Sequence, residues 1–168
     1  MQVVDYECFN EMKEGADAPI VDPKLFPEWI LCENNDLLVL DKPGWLVCHP
    51  SKNGPWSSLV GAAKEYLGVD SIHLVSRLDR ETSGVVILAK HKKAASIWQK
   101  GVEHRKVKRN YLTILRDEMI EEKNVETFIG NDPESEVFVK QRVTQESRKS
   151  QRALTHFIPL HAQNQHAL

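Results

Sequence analysis

Long apolar runs are missing from this chain of 168 residues: no stretch approaches the roughly 18 consecutive apolar residues that a membrane-spanning helix needs. The amino terminus, MQVVDYECFNEMKEG, lacks the basic start and apolar centre of a secretory signal, so no membrane association and a cytoplasmic location are expected. Cysteine is scarce. Cys8, Cys32 and Cys48 are odd in number and form no C-x-x-C pair, which argues against a disulfide framework and a zinc knuckle and leaves them as small apolar side chains for the interior. Also absent are a glycine-rich phosphate loop, an internal repeat and any low-complexity tract. What is present, 41% hydrophobic and 27% charged residues, is the composition of an ordinary globular protein with a core of its own.

The net charge of −2 conceals a segregation. Residues 1–41 carry ten acids and two bases, residues 42–116 fourteen bases and five acids, and residues 117–168 six bases and nine acids, giving −8, +9 and −3 in turn. The central block contains KHKK (90–93) and HRKVKR (104–109). A face that binds a polyanion produces such an excess, and so do lysines that merely solvate a helix and a strand.

Pro19, Pro23 and Pro27 hinder regular structure in an acidic lead-in over residues 1–28, so folded structure is expected from about Trp29. DLLVLDKP predicts a buried strand over Leu37–Leu40 stopped by Pro43-Gly44, and WLVCHP a second short strand stopped by Pro50. From Ser57 onward Leu59, Val60, Ala63, Tyr66 and Leu67 fall at helical spacing, with Ser57 or Ser58 as N-cap and Gly68 as the stop. Val85–Ala89 reads as a strand buried on both faces. After it, Ala94, Ile97, Trp98 and Val102 share one helical face while Lys92, Lys93, Gln99 and Lys100 take the other. VKRNYLTILR returns to a period of two, with Tyr111, Thr113 and Leu115 on one side, and further strands are predicted at 125–129, 137–139 and 153–158. Strands and helices interleave irregularly and not as repeated βαβ units, which predicts an α+β fold with a mixed, largely antiparallel sheet and flanking helices.

The stretch RLDRETSGVVILAK, residues 77–90, sets a polar cluster at the mouth of the most apolar strand. An aspartate flanked by Arg77 and Arg80 has its ionised form favoured, which suits a nucleophile or a base. Thr82 and Ser83 can hydrogen-bond the loop backbone, and Gly84 lets the chain turn tightly into the strand. A surface ion pair between Asp79 and Arg77 at an ordinary turn is the alternative, and on physical grounds alone the commoner one.

The same residues resemble the signature of the RluA-type pseudouridine synthases, H-R-L-D-x-x-T-S-G followed by an apolar strand. ILCENNDLLVLDKPGWLVCHPS (30–51) is similar to that family's upstream segment, K-P-x-G, two hydrophobic residues and V-H-P. HRKVKRNYLTIL resembles its R-x-x-x-K-x-Y strand, with Tyr111 at the tyrosine, and SQRALTHFIPL (150–160) is similar to the strand that follows. The resemblance implies an enzyme that isomerises specific uridines of ribosomal or transfer RNA to pseudouridine, with RNA as partner and no metal, nucleotide or redox cofactor. It implies Asp79 as the active-site aspartate and Tyr111 as the residue that lies against the target base and is a candidate for removing its C5 proton. Arg77 matches an arginine that contacts RNA beside a flipped nucleotide. Arg80, Arg105, Lys106, Lys108 and Arg109 are the further RNA contacts expected from the basic block, and Thr82, Ser83 and Gly84 shape the loop. Residues 29–168 are then expected to be the N-terminal portion of the catalytic domain, behind an extension over 1–28.

Two features depart from the pattern. Ser76 stands where many members have histidine, and the chain stops at HAQNQHAL, before a segment resembling K-T-G-R-x-H-Q-I-R. An incomplete catalytic domain, prone to self-association, is expected from the second. His156, His161 and His166, five apart, do not share a helical face and offer at most a weak metal site, so none is expected. Two other readings stay open: an RNA-binding relic without turnover, and an unrelated Asp-dependent hydrolase or structural domain.

Overall fold

Leu37-Leu38-Val39-Leu40 offers apolar side chains to both sides of one strand, and the fold uses both. The computed structural model, which describes residues 19–49, 53–117, 119–135 and 140–168, divides after Lys108 into two units. The first holds an antiparallel sheet in the order β1 (Ile30–Glu33), β2 (Leu37–Lys42), β4 (Gly84–Ala89), β3 (His73–Leu74). Its register sets Leu38 opposite Leu88 and Leu40 opposite Val86. These residues join Phe26, Leu46 and the buried side of helix α1 (Leu59–Leu67) in one cluster. The alternate positions, Leu37 and Ala89, join Val75 with Ala94 and Ala95 of helix α2 (Lys92–Glu103) in a second. Burial on both faces is why most of each strand reads as an unbroken apolar run; Val85, expected to be buried with the rest, is exposed near the start of β4.

Both helices start and stop on side chains suited to the task. Ser58 is the N-cap of α1, its hydroxyl accepting the Gly61 amide at 3.1 Å. The helix closes at Gly68, in the left-handed region at φ 63°, with the Gly68 amide on the Glu65 carbonyl and the Val69 amide on the Lys64 carbonyl. His91 caps α2, Nδ1 accepting the Ala94 amide at 3.2 Å while the Nε2–H donates to Asp36 Oδ1 at 2.8 Å.

The expected strand over WLVCHP does not form over its described residues, 45–49. The carbonyls of Val47 and Cys48 instead accept the amides of Leu59 and Val60, at 2.9 and 3.1 Å, so this segment satisfies the open end of α1 and not a ladder. Folded structure also begins before Trp29: Val21 and Phe26 are buried in the first cluster, and the Val21 amide donates to the Trp56 carbonyl at 2.8 Å. The earlier part of the expected extension, 1–18, lies outside the described residues.

The second unit has two three-stranded antiparallel sheets, β5-β10-β9 and β7-β6-β8, built from β5 (Leu115–Arg116), β6 (Lys123–Asn131), β7 (Gln141–Thr144), β8 (Gln151–Phe157), β9 (Ala162–Gln163) and β10 (His166–Ala167). The strands expected at 125–129 and 153–158 fall on β6 and β8, whereas 137–139 lies outside the described residues. The predicted strand over 107–116 is reduced to β5, because among the described residues only Leu115 and Arg116 find a partner, in β10. Asn164 and Gln165, both at positive φ, turn β9 into β10, a tight hairpin that the sequence pattern did not announce. Every pairing among the described residues is antiparallel, and the fold is α+β. No helix among the described residues is long and apolar enough to cross a membrane.

Candidate active site

Residues 75–83 run from β3 into β4 as a loop, and Asp79 stands on it exposed to solvent. Three successive carbonyls of this loop are held. The Cys48 thiol donates to Leu78 O at 3.3 Å, the Thr82 amide to Asp79 O at 3.2 Å, and the Lys42 ammonium to Arg80 O at 3.1 Å. Gly84 ends the loop at φ 121°, a backbone that L side chains rarely adopt. The amide of Thr82 thus closes the turn; the hydroxyls of Thr82 and Ser83, expected to do so, make no hydrogen bond among the described residues.

The charges are arranged otherwise than the flanking arginines suggest. Arg80 Nε pairs with Glu81 at 2.9 Å, not with Asp79, and no ion pair joins Asp79 to Arg77 among the described residues. Burial pushes the Glu81 carboxyl up, but its own backbone amide, the Arg80 hydrogen bond and charge and the Lys42 charge together hold it below the usual range. Lys42 is wholly buried. Its Nζ donates to the carbonyls of Pro43 at 2.9 Å and Leu46 at 2.7 Å as well as to Arg80, and desolvation lowers its pKa, opposed by Coulombic interaction with Cys48, Glu81 and Asp79. Neither Lys42 nor Cys48 was singled out from sequence, although a signal exists for the first: Lys42 continues the alternation Leu38, Leu40 onto the same buried face. The expectation that the cysteines are interior holds for Cys48 and fails for Cys32, which is exposed on β1; Cys8 lies outside the described residues.

Arg77, Arg105, Lys106 and Lys108 are exposed in the first unit, Arg109 and Tyr111 in the second. Arg105 follows α2 at φ 55°, its amide on the Val102 carbonyl and that of Lys106 on the Gly101 carbonyl, so both basic groups are delivered at a helix end. Two shallow cavities of about 380 and 420 Å³ share His73 and Gln99, but no residue of 77–84 lines either. His156 spends its ring nitrogens on Asn124 and Glu122, and no metal-holding cluster occurs among the described residues.

A family model described as RNA pseudouridylate synthase matches residues 36–168, which includes the whole of this loop. The chain belongs to that family. Its RluA-type signature agrees with its relatives. An uncharacterized RNA pseudouridine synthase of Bacillus subtilis is 35% identical over 133 residues, 76% of this chain and 45% of the relative. Ribosomal large subunit pseudouridine synthase D of Nitrosomonas europaea is 33% identical over 138 residues, 79% of this chain and 38% of the relative. Among solved structures, human RNA pseudouridylate synthase domain containing 4 superposes with a TM-score of 0.61 at 25% identity, over 86% of this chain and 58% of that one. The chain spans less than half the length of these curated relatives.

Proposed function

We propose that this pseudouridylate synthase chain isomerises uridine to pseudouridine in ribosomal or transfer RNA, in the cytoplasm, with Asp79 as the reacting carboxylate. The observation that carries the reading is an exposed aspartate at the mouth of a buried strand, on a loop whose neighbouring carbonyls are all tied down. In the reaction the bond from ribose C1′ to uracil N1 breaks, the detached base turns, C5 bonds to C1′, the C5 proton leaves and N1 is protonated. Atoms and electrons balance within the nucleotide, so the chemistry calls for a carboxylate that assists departure of the base and a base for the C5 proton. We assign the second task to Tyr111, contact with the flipped nucleotide to Arg77, and contact with the RNA backbone to Arg80, Arg105, Lys106, Lys108 and Arg109. Residues 29–168, with Val21 and Phe26, are on this reading the N-terminal portion of the catalytic domain.

The test is tritium release from RNA labelled at uridine C5. Asp79→Asn should abolish release while RNA retention on a filter stays within about twofold of wild type, because a neutral amide keeps the shape and loses the carboxylate charge. Wild-type turnover by that variant would remove Asp79 from the chemistry. Retention of RNA with no release by the unaltered chain would favour a binding protein without turnover.

A further inference from the structure

We propose that the open edge of β3, walled by α1 on one side and α2 on the other, is a groove that holds the phosphodiester backbone of RNA on its way to the Asp79 loop. The inference rests on the reading of RNA as partner and adds a binding site that includes none of the residues assigned above.

The edge comes from the topology. β3 is the last strand of its sheet and pairs with β4 alone. The Val75 amide bonds the Ile87 carbonyl at 3.1 Å, and the alternation of an antiparallel ladder therefore turns the amide and carbonyl of Leu74 away from β4. Gln99 of α2 donates through Nε2 to that carbonyl at 2.9 Å, which ties the helix to the edge. The Leu74 amide is left facing outward, a donor of the kind that phosphate oxygens accept.

A shallow trough lies on either side of this edge. One, of about 380 Å³, is lined by Lys92, Ser96 and Lys100 of α2; the other, of about 420 Å³, by His49, Ser71 and Lys64 of α1; both reach His73 and Gln99. A pocket for a small molecule buries most of its ligand, whereas open troughs suit an extended chain that lies along the surface. Lys92, Ser96 and Lys100 fall four apart on one line of α2, with the two lysines about 12 Å apart along the axis, so one strand running along the helix meets both. Lys64, Lys92 and Lys100 form no ion pair among the described residues, although Glu103 lines the first trough and Asp70 the second. Ammonium, hydroxyl, imidazole and amide donors together are the set that contacts a sugar-phosphate backbone without reading its sequence.

The chain path ties the groove to the loop. β3 runs directly into residues 75–83, and Asp79 follows Leu74 by five residues, at most about 18 Å at full extension. An RNA strand with its target nucleotide at Asp79 covers that distance within roughly five nucleotides at a rise of about 3.4 Å.

The test uses the full chain and oligouridine of about twenty nucleotides. Replacing Lys64, Lys92 and Lys100 with glutamine, a good helix former, should make the log–log slope of retention against salt shallower by about 2, at roughly 0.7 per single-stranded phosphate contact. Replacing three exposed lysines elsewhere, Lys24, Lys123 and Lys149, removes the same charge and should leave the slope as it is. Asp70→Asn combined with Glu103→Gln should tighten retention severalfold at low salt. Oligouridine carrying 4-thiouridine should photocrosslink within 64–74 and 92–103. Equal slopes in the groove and control variants overturn the proposal, and so do crosslinks confined to other segments. Displacement of oligouridine by millimolar uridine 5′-monophosphate would also overturn it, by making the troughs sites for a mononucleotide. On C5-labelled RNA the groove variant should raise KM about tenfold with kcat within about twofold, the reverse of Asp79→Asn, whose salt slope should match wild type. Failure of the groove and failure of the Asp79 reading are thereby told apart, and for a chain without turnover the retention and crosslinking measurements still decide.

Discussion

A buried lysine and the same lysine in the unfolded chain release their proton at different pH. Burial lowers the pKa of Lys42 in the fold, against an ordinary 10.5. Between the two values the unfolded chain binds more protons, so this residue's contribution to stability rises with pH, is complete above the ordinary value and is lost as pH falls through the folded one. We therefore expect wild type to gain urea resistance relative to Lys42→Met as pH rises across that window. An unchanged difference in urea resistance across it would show that Lys42 binds its proton alike in the folded and unfolded chain. The loop offers a second test at residue scale: Gly84→Ala forces a Cβ onto φ 121° and should cost roughly 1–3 kcal/mol in a denaturation experiment. The polar turn before β4 and its Gly84 were legible in the sequence because a turn into a buried strand calls for such residue types. The partner of Arg80 was not, since periodicity does not say whether a guanidinium meets Asp79 or Glu81, and Lys42 looked like any lysine at a strand end.

The two helices of the first unit close in the same way, with an amide on the carbonyl five residues back and a left-handed residue before it, yet one uses Gly68 and the other Arg105. An L side chain in that region is strained by about 1 kcal/mol relative to glycine. Arg105→Gly should therefore stabilise the chain by up to about 1 kcal/mol and at the same time weaken RNA retention, if Arg105 is the backbone contact we propose. A variant that gains stability and keeps its affinity would leave Arg105 without a binding role. Elements with their own start and stop signals were the legible ones: α1 between Ser58 and Gly68, β4 after Gly84, and α2 with its split apolar and basic faces. WLVCHP and VKRNYLTILR carry strand-like residues too. A strand exists only where another supplies the ladder, and that information lies elsewhere in the chain: α1 takes the carbonyls of the first, and among the described residues β10 reaches only the last two residues of the second.

At the scale of the molecule, the −8, +9 and −3 blocks do not coincide with the two units, which divide after Lys108 in the midst of the basic block. Charge patterning suits a polyanionic partner without announcing the architecture, because counterion release depends on how many cations meet phosphate and not on which unit bears them. Lys106 and Lys108 end the first unit and Arg109 begins the second, all three exposed and without an ion-pair partner among the described residues. If they contact RNA, their cost of desolvation is small and their contribution is mainly the release of condensed ions. Retention of RNA by wild type should then fall linearly on a log–log plot against salt. Replacing all three with glutamine should make that slope shallower by about 2, at roughly 0.7 per single-stranded phosphate contact, and affinities should converge at high salt. The same slope in the triple variant, with equal affinity at every salt concentration, would make this block a solvated surface and move the search for the RNA contacts to Lys92, Lys93 and Lys100 on the exposed face of α2.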